Sequence, residues 1–243
     1  MKKKVLGHRG FSSRYPENTR IAFQKALELG ADGVEFDVQL TKDGVPVIIH
    51  DENLLRTGGT DAFVRDLTLD ALRKIDVSFR FHDECGFQPV PTLAEYFELV
   101  RDRDFLTNIE LKTAIFEYEG IERKVIGMIR DYGLSDRVIL SSFNHYTLLR
   151  AKAIAPELPC GLLYECRIAE PQEYAKKLRM EYLHPWHIFL NGEETAKYLA
   201  AGIRTNPWTV DTEDDIRRFL DDDDIYAIIS NKPDLVMALQ NGK

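Results

Sequence analysis

Cysteine is scarce in this 243-residue chain, and no apolar run is long enough to span a membrane. The three cysteines, Cys85, Cys160 and Cys166, lack the spacing of a zinc site, and their odd number argues against a disulfide framework. The basic start of the chain leads directly into a predicted strand rather than into the apolar segment of a secretory leader. We therefore expect a cytoplasmic protein without a membrane anchor.

Positive charge is also in deficit, because 32 lysines and arginines face 40 aspartates and glutamates, for a formal net charge of -8. Nucleic-acid binders usually carry a basic field, so we expect no nucleic-acid partner. The sequence also lacks the glycine-rich motifs of dinucleotide and P-loop sites and the Gly-x-Ser-x-Gly turn of serine hydrolases. Any anionic substrate must therefore be held by a local group of positive side chains. No pattern indicates an oligomeric state.

Strand-like and helix-like segments alternate along nearly the whole chain. Apolar runs predict principal strands at 5–8, 33–38, 107–111, 138–142, 161–164, 182–184, 204–208 and 227–230. Between them lie helical patterns, including a helix from about Glu17 that Gly30 ends and one that opens with capping-box spacing between Thr92 and Glu95. Such alternation is typical of parallel sheets, and eight strands in about 250 residues favour a closed barrel. We predict an α/β fold, a single (β/α)8 TIM barrel over residues 1–243.

Two segments after the second strand interrupt this alternation. The short apolar run 46–50 follows a turn at Lys42-Asp43-Gly44 and is predicted to pair with the second strand as a hairpin. Residues 52–90 are rich in glycine, aspartate and arginine and follow His50-Asp51 directly. We predict that 52–90 form a small insertion at the mouth of the barrel. The alternative is a long surface loop with helical turns.

Acidic side chains occupy one face of two predicted strands. The period of two in 33–38 places Glu35 and Asp37 on the face opposite the apolar residues, and Glu110 has the same relation to its neighbours in 107–111. Buried carboxylates are costly unless they are paired or bound to a metal. Ligands that are all oxygen favour Mg²⁺ or Ca²⁺, with Mn²⁺ possible, over Zn²⁺. We therefore predict one divalent cation, held by Glu35, Asp37 and Glu110.

Two histidines and two cations flank these carboxylates at predicted strand ends. His8 ends the first strand and His50 ends the hairpin strand, so both fall where barrel enzymes carry their active sites. Histidine has an ordinary pKa near 6.5, which suits one ring to act as base and the other as acid. Arg9 and Lys112 are predicted to hold an anionic group such as phosphate. The alternative for Lys112 is neutralisation of a neighbouring carboxylate.

A series of motifs runs in one order from end to end of the chain. They are Gly7-His8-Arg9-Gly10, Pro16-Glu17-Asn18-Thr19, Ala31-Asp32-Gly33-Val34-Glu35-Phe36-Asp37-Val38, Val47-Ile48-Ile49-His50-Asp51, Pro91-Thr92-Leu93, Ile109-Glu110-Leu111-Lys112, Ser141-Ser142-Phe143, Trp208-Thr209-Val210 and Ser230-Asn231-Lys232-Pro233-Asp234. In these motifs the chain resembles the glycerophosphodiester phosphodiesterases, which are metal-dependent (β/α)8-barrel enzymes with a small insertion after the His50-Asp51 position. The resemblance implies the same roles for the histidines, carboxylates and cations.

The chain departs from the family pattern at two places. Asp211 stands where many members have Asn after Trp-Thr-Val, and Ser230-Asn231-Lys232 replaces the commoner Thr-Asp-Arg. We expect neither departure to touch the acid/base or metal residues, so that only details of the pocket would change. By resemblance, His184 and Trp208 are also predicted to contact the substrate. The alternative for His184 is a structural role.

The resemblance implies hydrolysis of a glycerophosphodiester to glycerol 3-phosphate and an alcohol such as choline, ethanolamine or glycerol. Either water or the neighbouring glycerol hydroxyl can be the nucleophile, and the sequence does not assign which histidine is acid and which is base. A second hypothesis is lysophospholipase D activity on a substrate that keeps its acyl chain, with Phe63, Phe79, Phe81 and Phe87 lining an apolar groove. A third is a barrel that binds phosphodiesters without catalysis.

Overall fold

The computed structural model describes residues 2–242 and contains a β-barrel surrounded by helices. Its strands are β1 (Lys4–His8), β2 (Gly33–Leu40), β3 (Pro46–Ile48), β4 (Leu106–Leu111), β5 (Val138–Ser142), β6 (Cys160–Tyr164), β7 (Tyr182–Pro185), β8 (Arg204–Thr205) and β9 (Ala227–Ser230). Its helices are α1 (Arg20–Leu29), α2 (Leu55–Gly58), α3 (Leu69–Leu72), α4 (His82–Cys85), α5 (Leu93–Val100), α6 (Ile121–Asp131), α7 (His145–Ile154), α8 (Pro171–Leu178), α9 (Gly192–Ala200), α10 (Glu213–Asp221) and α11 (Pro233–Asn241). Within residues 2–242, none of these helices combines the length and the apolar character that crossing a membrane requires.

The barrel strands pair in the order β8-β7-β6-β5-β4-β2-β1-β9, and every pair in this series for which a register is defined is parallel. A parallel bridge between Thr205 and Ile225 joins the two ends of the sheet. β3 lies outside this series and pairs antiparallel with β2, with Ile48 opposite Val38. The predicted barrel is therefore confirmed, and the structure has the hairpin that the sequence predicted.

The register of the first strands brings the acidic and basic motifs together. His8 on β1 lies opposite Glu35 on β2, and Asp37 on β2 lies opposite Glu110 on β4. Because the strands are parallel, their C-terminal ends meet at the same rim of the barrel. Residues that are far apart in the sequence therefore converge on one end of the fold.

The outward face of β2 anchors these carboxylates by packing under helices. Phe36 is fully buried, and its ring lies 4.5 Å from that of Tyr96 on α5 and 5.3 Å from that of Phe23 on α1, measured between ring centroids. Side chains alternate along a strand, so this packing turns Glu35 and Asp37 toward the barrel interior. The aromatic cluster thus fixes the face on which the acidic residues lie.

The two largest differences between predicted and observed boundaries are at the start of α1 and the end of β8. α1 begins after Thr19 rather than at Glu17, because the Thr19 hydroxyl accepts a hydrogen bond from an amide of the first turn and caps the helix. β8 ends at Thr205 rather than at Trp208. The intervening Pro207 has no N–H to donate to a neighbouring strand, which interrupts the ladder.

Residues 52–90 fold around a small core of their own. They contain α2, α3, α4 and two short 3₁₀ turns at Val64–Asp66 and Phe79–Phe81. The buried members of this core are Leu54, Val64, Leu72, Val77 and Val90, together with Val47 and Ile49 from the hairpin. The segment is therefore a packed addition to the β2–β3 hairpin rather than a loop without a core.

Candidate active site

A cavity of about 380 Å³ opens at the end of the barrel where the site motifs converge. We call one side the charged wall, which consists of His8, Arg9, Glu35, His50, Glu110 and Lys112. We call the apolar residues of the lining the apolar wall, which consists of Ala114, Phe143, Leu163, Trp208 and Ile229. Asn108 and Glu165 complete the lining. Every predicted acid/base, metal and phosphate residue except Asp37 lines the cavity directly, and Asp37 lies beside it in the carboxylate cluster.

Three carboxylates, two of them part of the charged wall, converge at this end of the barrel. Glu35, Asp37 and Glu110 are buried, and each offers an oxygen within 4.8 Å of the other two. Burial, followed by repulsion between the carboxylates, raises the pKa of Glu35 well above its ordinary range and also raises that of Glu110. Burial opposes ionisation of Asp37 as well, but electrostatic interaction with His50, Arg9 and Lys112 lowers its pKa. The possible ligand atoms are all carboxylate oxygens, and their combined negative charge favours a positive ion among them. The cluster therefore fits a divalent cation.

Two cations compensate part of this negative charge. The Lys112 Nζ lies 3.2 Å from a Glu110 oxygen and 3.9 Å from an Asp37 oxygen. Arg9 donates to Glu17 at 2.9 Å, and its Nε lies 3.6 Å from Asp37 without a hydrogen-bond partner. The contacts that neutralise the carboxylates are therefore present for both residues. Their predicted contact with phosphate remains a prediction, which their position on the cavity lining supports.

His8 lies between a polar network and the carboxylates. Its Nδ1 is 2.7 Å from Oδ1 of Asn231, and its Nε2 is 3.8 Å from Oε2 of Glu35. Burial, followed by the charge of Arg9, lowers the pKa of His8 to about 4. The ring is therefore neutral near pH 7 and can accept a proton.

Charged side chains hold the His50 ring, whereas an amide holds that of His8. Its Nδ1 is 2.6 Å from Oδ1 of Asp51, and Arg56 donates to the other oxygen of Asp51 at 2.6 Å. Arg56 also donates to both oxygens of Glu17, at 2.7 and 2.8 Å. Arg56 belongs to α2, so its guanidinium connects the insertion to the support of His50. Sequence reasoning missed Arg56, because nothing in its local pattern distinguishes it from a surface arginine.

The apolar wall is built around two aromatic rings. Phe143 and Trp208 meet edge to face with their centroids 5.5 Å apart, and the Trp208 indole donates to the backbone oxygen of His184 at 2.8 Å. Leu163 and Ile229 continue the surface from β6 and β9. Trp208 therefore lines the cavity, and its contact with the substrate stays a prediction. Phe143 occurs in one of the sequence motifs, but the sequence predicts no role for it.

The predicted contact between His184 and the substrate is not supported by the structure. His184 is completely buried, does not line the cavity, and pairs with the Asn206 side chain at 3.0 Å. Burial lowers its pKa to about 3. An added Cβ at Gly161 would lie 2.5 Å from the His184 ring, which shows how tightly the ring is packed. The alternative of a structural histidine fits this environment.

A second expectation is wrong. We expected the departures at Asp211 and Asn231 to leave the acid/base residues untouched, yet Asn231 contacts His8 directly and Asp211 contacts Asn231. The contact joins positions 223 residues apart. The motif that contains Asn231 was visible in the sequence, but its proximity to His8 depends on the pairing of β1 with β9.

The phenylalanines of the insertion do not form an extension of the cavity. None of Phe63, Phe79, Phe81 and Phe87 lines it. Phe63 packs edge to face on Phe116, with ring centroids 5.6 Å apart, while Phe79 and Phe87 are about half exposed. The groove expected for an acylated substrate is therefore not found among the described residues.

Comparison with known proteins agrees with the motifs. Residues 8–235 match the model of the glycerophosphoryl diester phosphodiesterase family. The chain belongs to this family. It is 44% identical over 239 residues to a glycerophosphodiester phosphodiesterase of Caldanaerobacter subterraneus subsp. tengcongensis, and the match covers 98% of each chain. The predicted family and enzyme class, a phosphoric diester hydrolase, are therefore confirmed.

Solved structures of similar proteins share the fold. A phosphodiesterase of Oleispira antarctica, in complex with the product sn-glycerol-3-phosphate, superposes with a TM-score of 0.87 and 28% identity over 99% of this chain and 97% of its own. A glycerophosphodiester phosphodiesterase of Thermotoga maritima superposes with a TM-score of 0.79 and 31% identity over 98% of this chain and 99% of its own. The shared fold therefore extends over nearly the whole of this chain and of both structures.

Proposed function

We propose that this protein hydrolyses glycerophosphodiesters to glycerol 3-phosphate and an alcohol, with a divalent cation and two histidines. The observation that carries the proposal is the meeting, in one cavity, of three buried carboxylates with His8 and His50. The Oleispira structure, whose product is sn-glycerol-3-phosphate, supports the same substrate class for this chain. The size of the cavity suits a small phosphodiester with a short head group.

Glu35, Asp37 and Glu110 would hold the cation, which we propose to be Mg²⁺ or Ca²⁺, with Mn²⁺ as a further candidate. A bound divalent cation supplies Lewis-acid polarisation and orientation of a phosphodiester. Its positive charge would also remove the repulsion that raises the pKa of Glu35 and Glu110. The chemistry of the donor set, rather than a family name alone, therefore supports metal dependence.

The different supports of the two histidines suggest their roles. His8 is neutral near pH 7 because burial lowers its pKa to about 4, so it is suited to take the proton of the attacking hydroxyl. The Asp51 carboxylate holds Nδ1 of His50, which leaves Nε2 for donating a proton to the leaving alkoxide. Arg9 and Lys112 would contact the phosphate from the charged wall. The attacking hydroxyl belongs either to water or to the substrate's own glycerol.

The apolar wall would bind the uncharged part of the substrate. Phe143 and Trp208 present ring surfaces to the cavity, and Glu165 places one carboxylate on its lining. A cationic head group such as choline gains from aromatic faces and from a nearby negative charge. We therefore expect the choline and ethanolamine esters to be better substrates than the glycerol ester, whose head group is uncharged.

We also propose a cytoplasmic location. All three cysteines are free in the structure, and one of them, Cys166, is exposed. Free thiols at the surface are typical of proteins kept in a reducing compartment. Fractionation of the native host, followed by detection of the chain with an antibody, tests this point.

A panel of substrates tests the proposed activity. Purified protein is incubated with glycerophosphocholine, glycerophosphoethanolamine and glycerophosphoglycerol, each with Mg²⁺, Ca²⁺ or Mn²⁺, and glycerol 3-phosphate is measured with glycerol-3-phosphate dehydrogenase. We expect product with at least one metal and an order of head groups that places the cationic ones first. Binding by calorimetry without product from any of them would support the non-catalytic barrel instead.

A further inference from the structure

A hydrogen-bonded chain of three residues leads away from His8. Oδ1 of Asn231 lies 2.7 Å from Nδ1 of His8, and the Asn231 Nδ2 donates to Oδ2 of Asp211 at 2.6 Å. The backbone N–H of Asn231 donates to the other oxygen of Asp211 at 2.8 Å. Asp211 therefore accepts hydrogen bonds from both the side chain and the backbone of Asn231.

The carboxylate of Asp211 decides which way the Asn231 amide faces. An ionised carboxylate can only accept hydrogen bonds, so the NH₂ group of Asn231 must point toward Asp211. A flipped amide would place two acceptor oxygens 2.6 Å apart. The Asn231 oxygen therefore faces His8, and His8 must carry its proton on Nδ1.

The Ser230 hydroxyl strengthens the same orientation. It is buried and donates to Asp211 at 2.9 Å, which adds a third donor to the two from Asn231. The Ser12 hydroxyl lies 2.6 Å from the Asn231 oxygen and 2.7 Å from the His8 backbone oxygen. Its one hydrogen can be donated to only one of these two acceptors, so the orientation of the amide is set by Asp211 rather than by Ser12.

We propose that Asp211 and Asn231 form a coupled positioning pair that fixes His8 with its proton on Nδ1 and its lone pair on Nε2. Nε2 is the nitrogen that lies 3.8 Å from Glu35, so the pair presents the basic nitrogen to the reacting side of the ring. The inference rests on the proposed role of His8 as proton acceptor. It assigns positioning residues that neither contact the carboxylates nor line the cavity.

In the family pattern that this chain resembles, many members have Asn at the position of Asp211, and Asp is the commoner residue at the position of Asn231. The resemblance therefore implies that the two residue types are exchanged here. In the exchanged arrangement, Asp at 231 can accept from His8 Nδ1 and from the amide of Asn at 211, so the ring keeps the same tautomer. Either arrangement needs one carboxylate and one amide. The two positions should therefore tolerate a joint exchange but not a single one.

Single and joint exchanges test this coupling. In Asp211→Asn, the Asn231 amide loses the group that orients it, and we expect kcat to fall by about 10²-fold with little change in KM, since positioned proton transfer contributes about 10²–10⁴-fold. In Asn231→Asp, two carboxylates face each other at the position of the 2.6 Å hydrogen bond, and we expect a similar loss. The double variant D211N/N231D should regain kcat to within a few-fold of the wild type. The control Asp214→Asn removes the same charge from an exposed position of α10 and should leave kcat unchanged.

The state of the ring is measured independently of catalysis. Two-dimensional ¹⁵N–¹H correlation through the ring carbons distinguishes the two neutral tautomers, and the signals lost in His8→Gln assign His8. We expect a proton on Nδ1 in the wild type and in the double variant, and a mixture in Asp211→Asn. A wild-type His8 with its proton on Nε2 would overturn the inference, as would single and double losses that simply multiply. An inactive wild type with the expected tautomer would instead refute the proposed function.

Discussion

The two walls of the cavity differ in almost every physical property. The charged wall comes from the ends of β1 and β4, from β2 and from the segment after β3, and its ionisable groups contact one another or a neighbouring polar side chain. The apolar wall comes mainly from β6, β9 and the segments after β5 and β8, and its central feature is the edge-to-face contact of Phe143 with Trp208. The same barrel rim thus carries two surfaces with distinct chemistry.

The difference separates reaction from selection. Groups on the charged wall depend on each other, because removal of any one leaves buried charge without compensation. Side chains on the apolar wall add contact area, and such contact binds the substrate in the ground state and in the transition state alike. We therefore expect changes in the charged wall to lower kcat, whereas changes in the apolar wall should mainly raise KM.

The largest effect is expected from changes to the three clustered carboxylates and their metal ion. Removal of metal by chelation should abolish turnover, and Glu110→Ala should lower it by about 10³-fold because Lewis-acid stabilisation is worth several kcal/mol. Excess Mg²⁺ or Ca²⁺ should restore part of the rate in Glu110→Ala if its defect is metal affinity. Isothermal titration of the metal into both proteins measures this. Glu122→Ala, which removes a buried carboxylate paired with Arg150 outside the site, is the control for a general loss of stability.

The two histidines should come next, below the complete loss of turnover expected on chelation. His8→Ala and His50→Ala are each expected to reduce kcat by about 10²–10⁴-fold, the usual contribution of a positioned acid or base. The losses should not multiply in the double variant, because the two groups act in one reaction. Steady-state kinetics and melting curves on all three variants provide the check. The control is His82→Ala, an exposed histidine of the insertion that pairs with Asp76; wild-type rates in either site variant would contradict the assignment.

A change to the apolar wall should be smaller and of a different kind. Phe143→Ala removes one of the two rings, and we expect KM for glycerophosphocholine to rise by about 10-fold, equivalent to about 1.4 kcal/mol of binding, with kcat nearly unchanged. The same variant should lose less with glycerophosphoglycerol, which has no cation to contact the ring. Phe63→Ala is a matched control, since that ring packs on Phe116 away from the cavity. A fall in kcat without a rise in KM would break the division between the walls.

The smallest effect is expected where the insertion meets the charged wall. Arg56→Ala removes the donor that holds Asp51, but this guanidinium is 40% exposed, so water can replace part of its contact. We expect kcat to fall by about threefold to tenfold, less than for His50→Ala. Arg65 belongs to the same insertion and lies over the ring of Phe116, and Arg65→Ala should not change kcat. Equal effects of the two changes would show that the insertion acts through its fold rather than through Arg56.

Sequence patterns predicted the charged wall better than the apolar one. A carboxylate or histidine on an otherwise apolar strand, as at Glu35 or His8, conflicts with burial and therefore indicates a site. Phe143 and Ile229 have no such conflict, because an apolar residue at a strand end is equally suited to a core. The alternation of strands and helices likewise predicted the barrel, since each element repeats a pattern that depends only on local sequence.

Long-range partners account for what the sequence could not reveal. Asn231 meets His8 only because β9 closes the barrel against β1, and Arg56 meets Glu17, 39 residues away, only because the fold brings α2 against the segment before α1. His184 shows the converse error. Its position in the sequence resembles a position that contacts the substrate in the family, but its side chain is completely buried. These contacts are set by tertiary packing, which no local pattern encodes.

One measurement tests the central claim most directly, namely that the charged wall catalyses metal-dependent hydrolysis. Glycerophosphocholine is mixed with protein freed of metal, and the phosphorus spectrum is recorded before and after Mg²⁺ or Ca²⁺ is added. The account predicts an unchanged diester signal at first, then its replacement by the signal of glycerol 3-phosphate after the metal, and no such conversion in Asp37→Asn. Conversion of the diester by the thoroughly demetallated wild type would contradict the account.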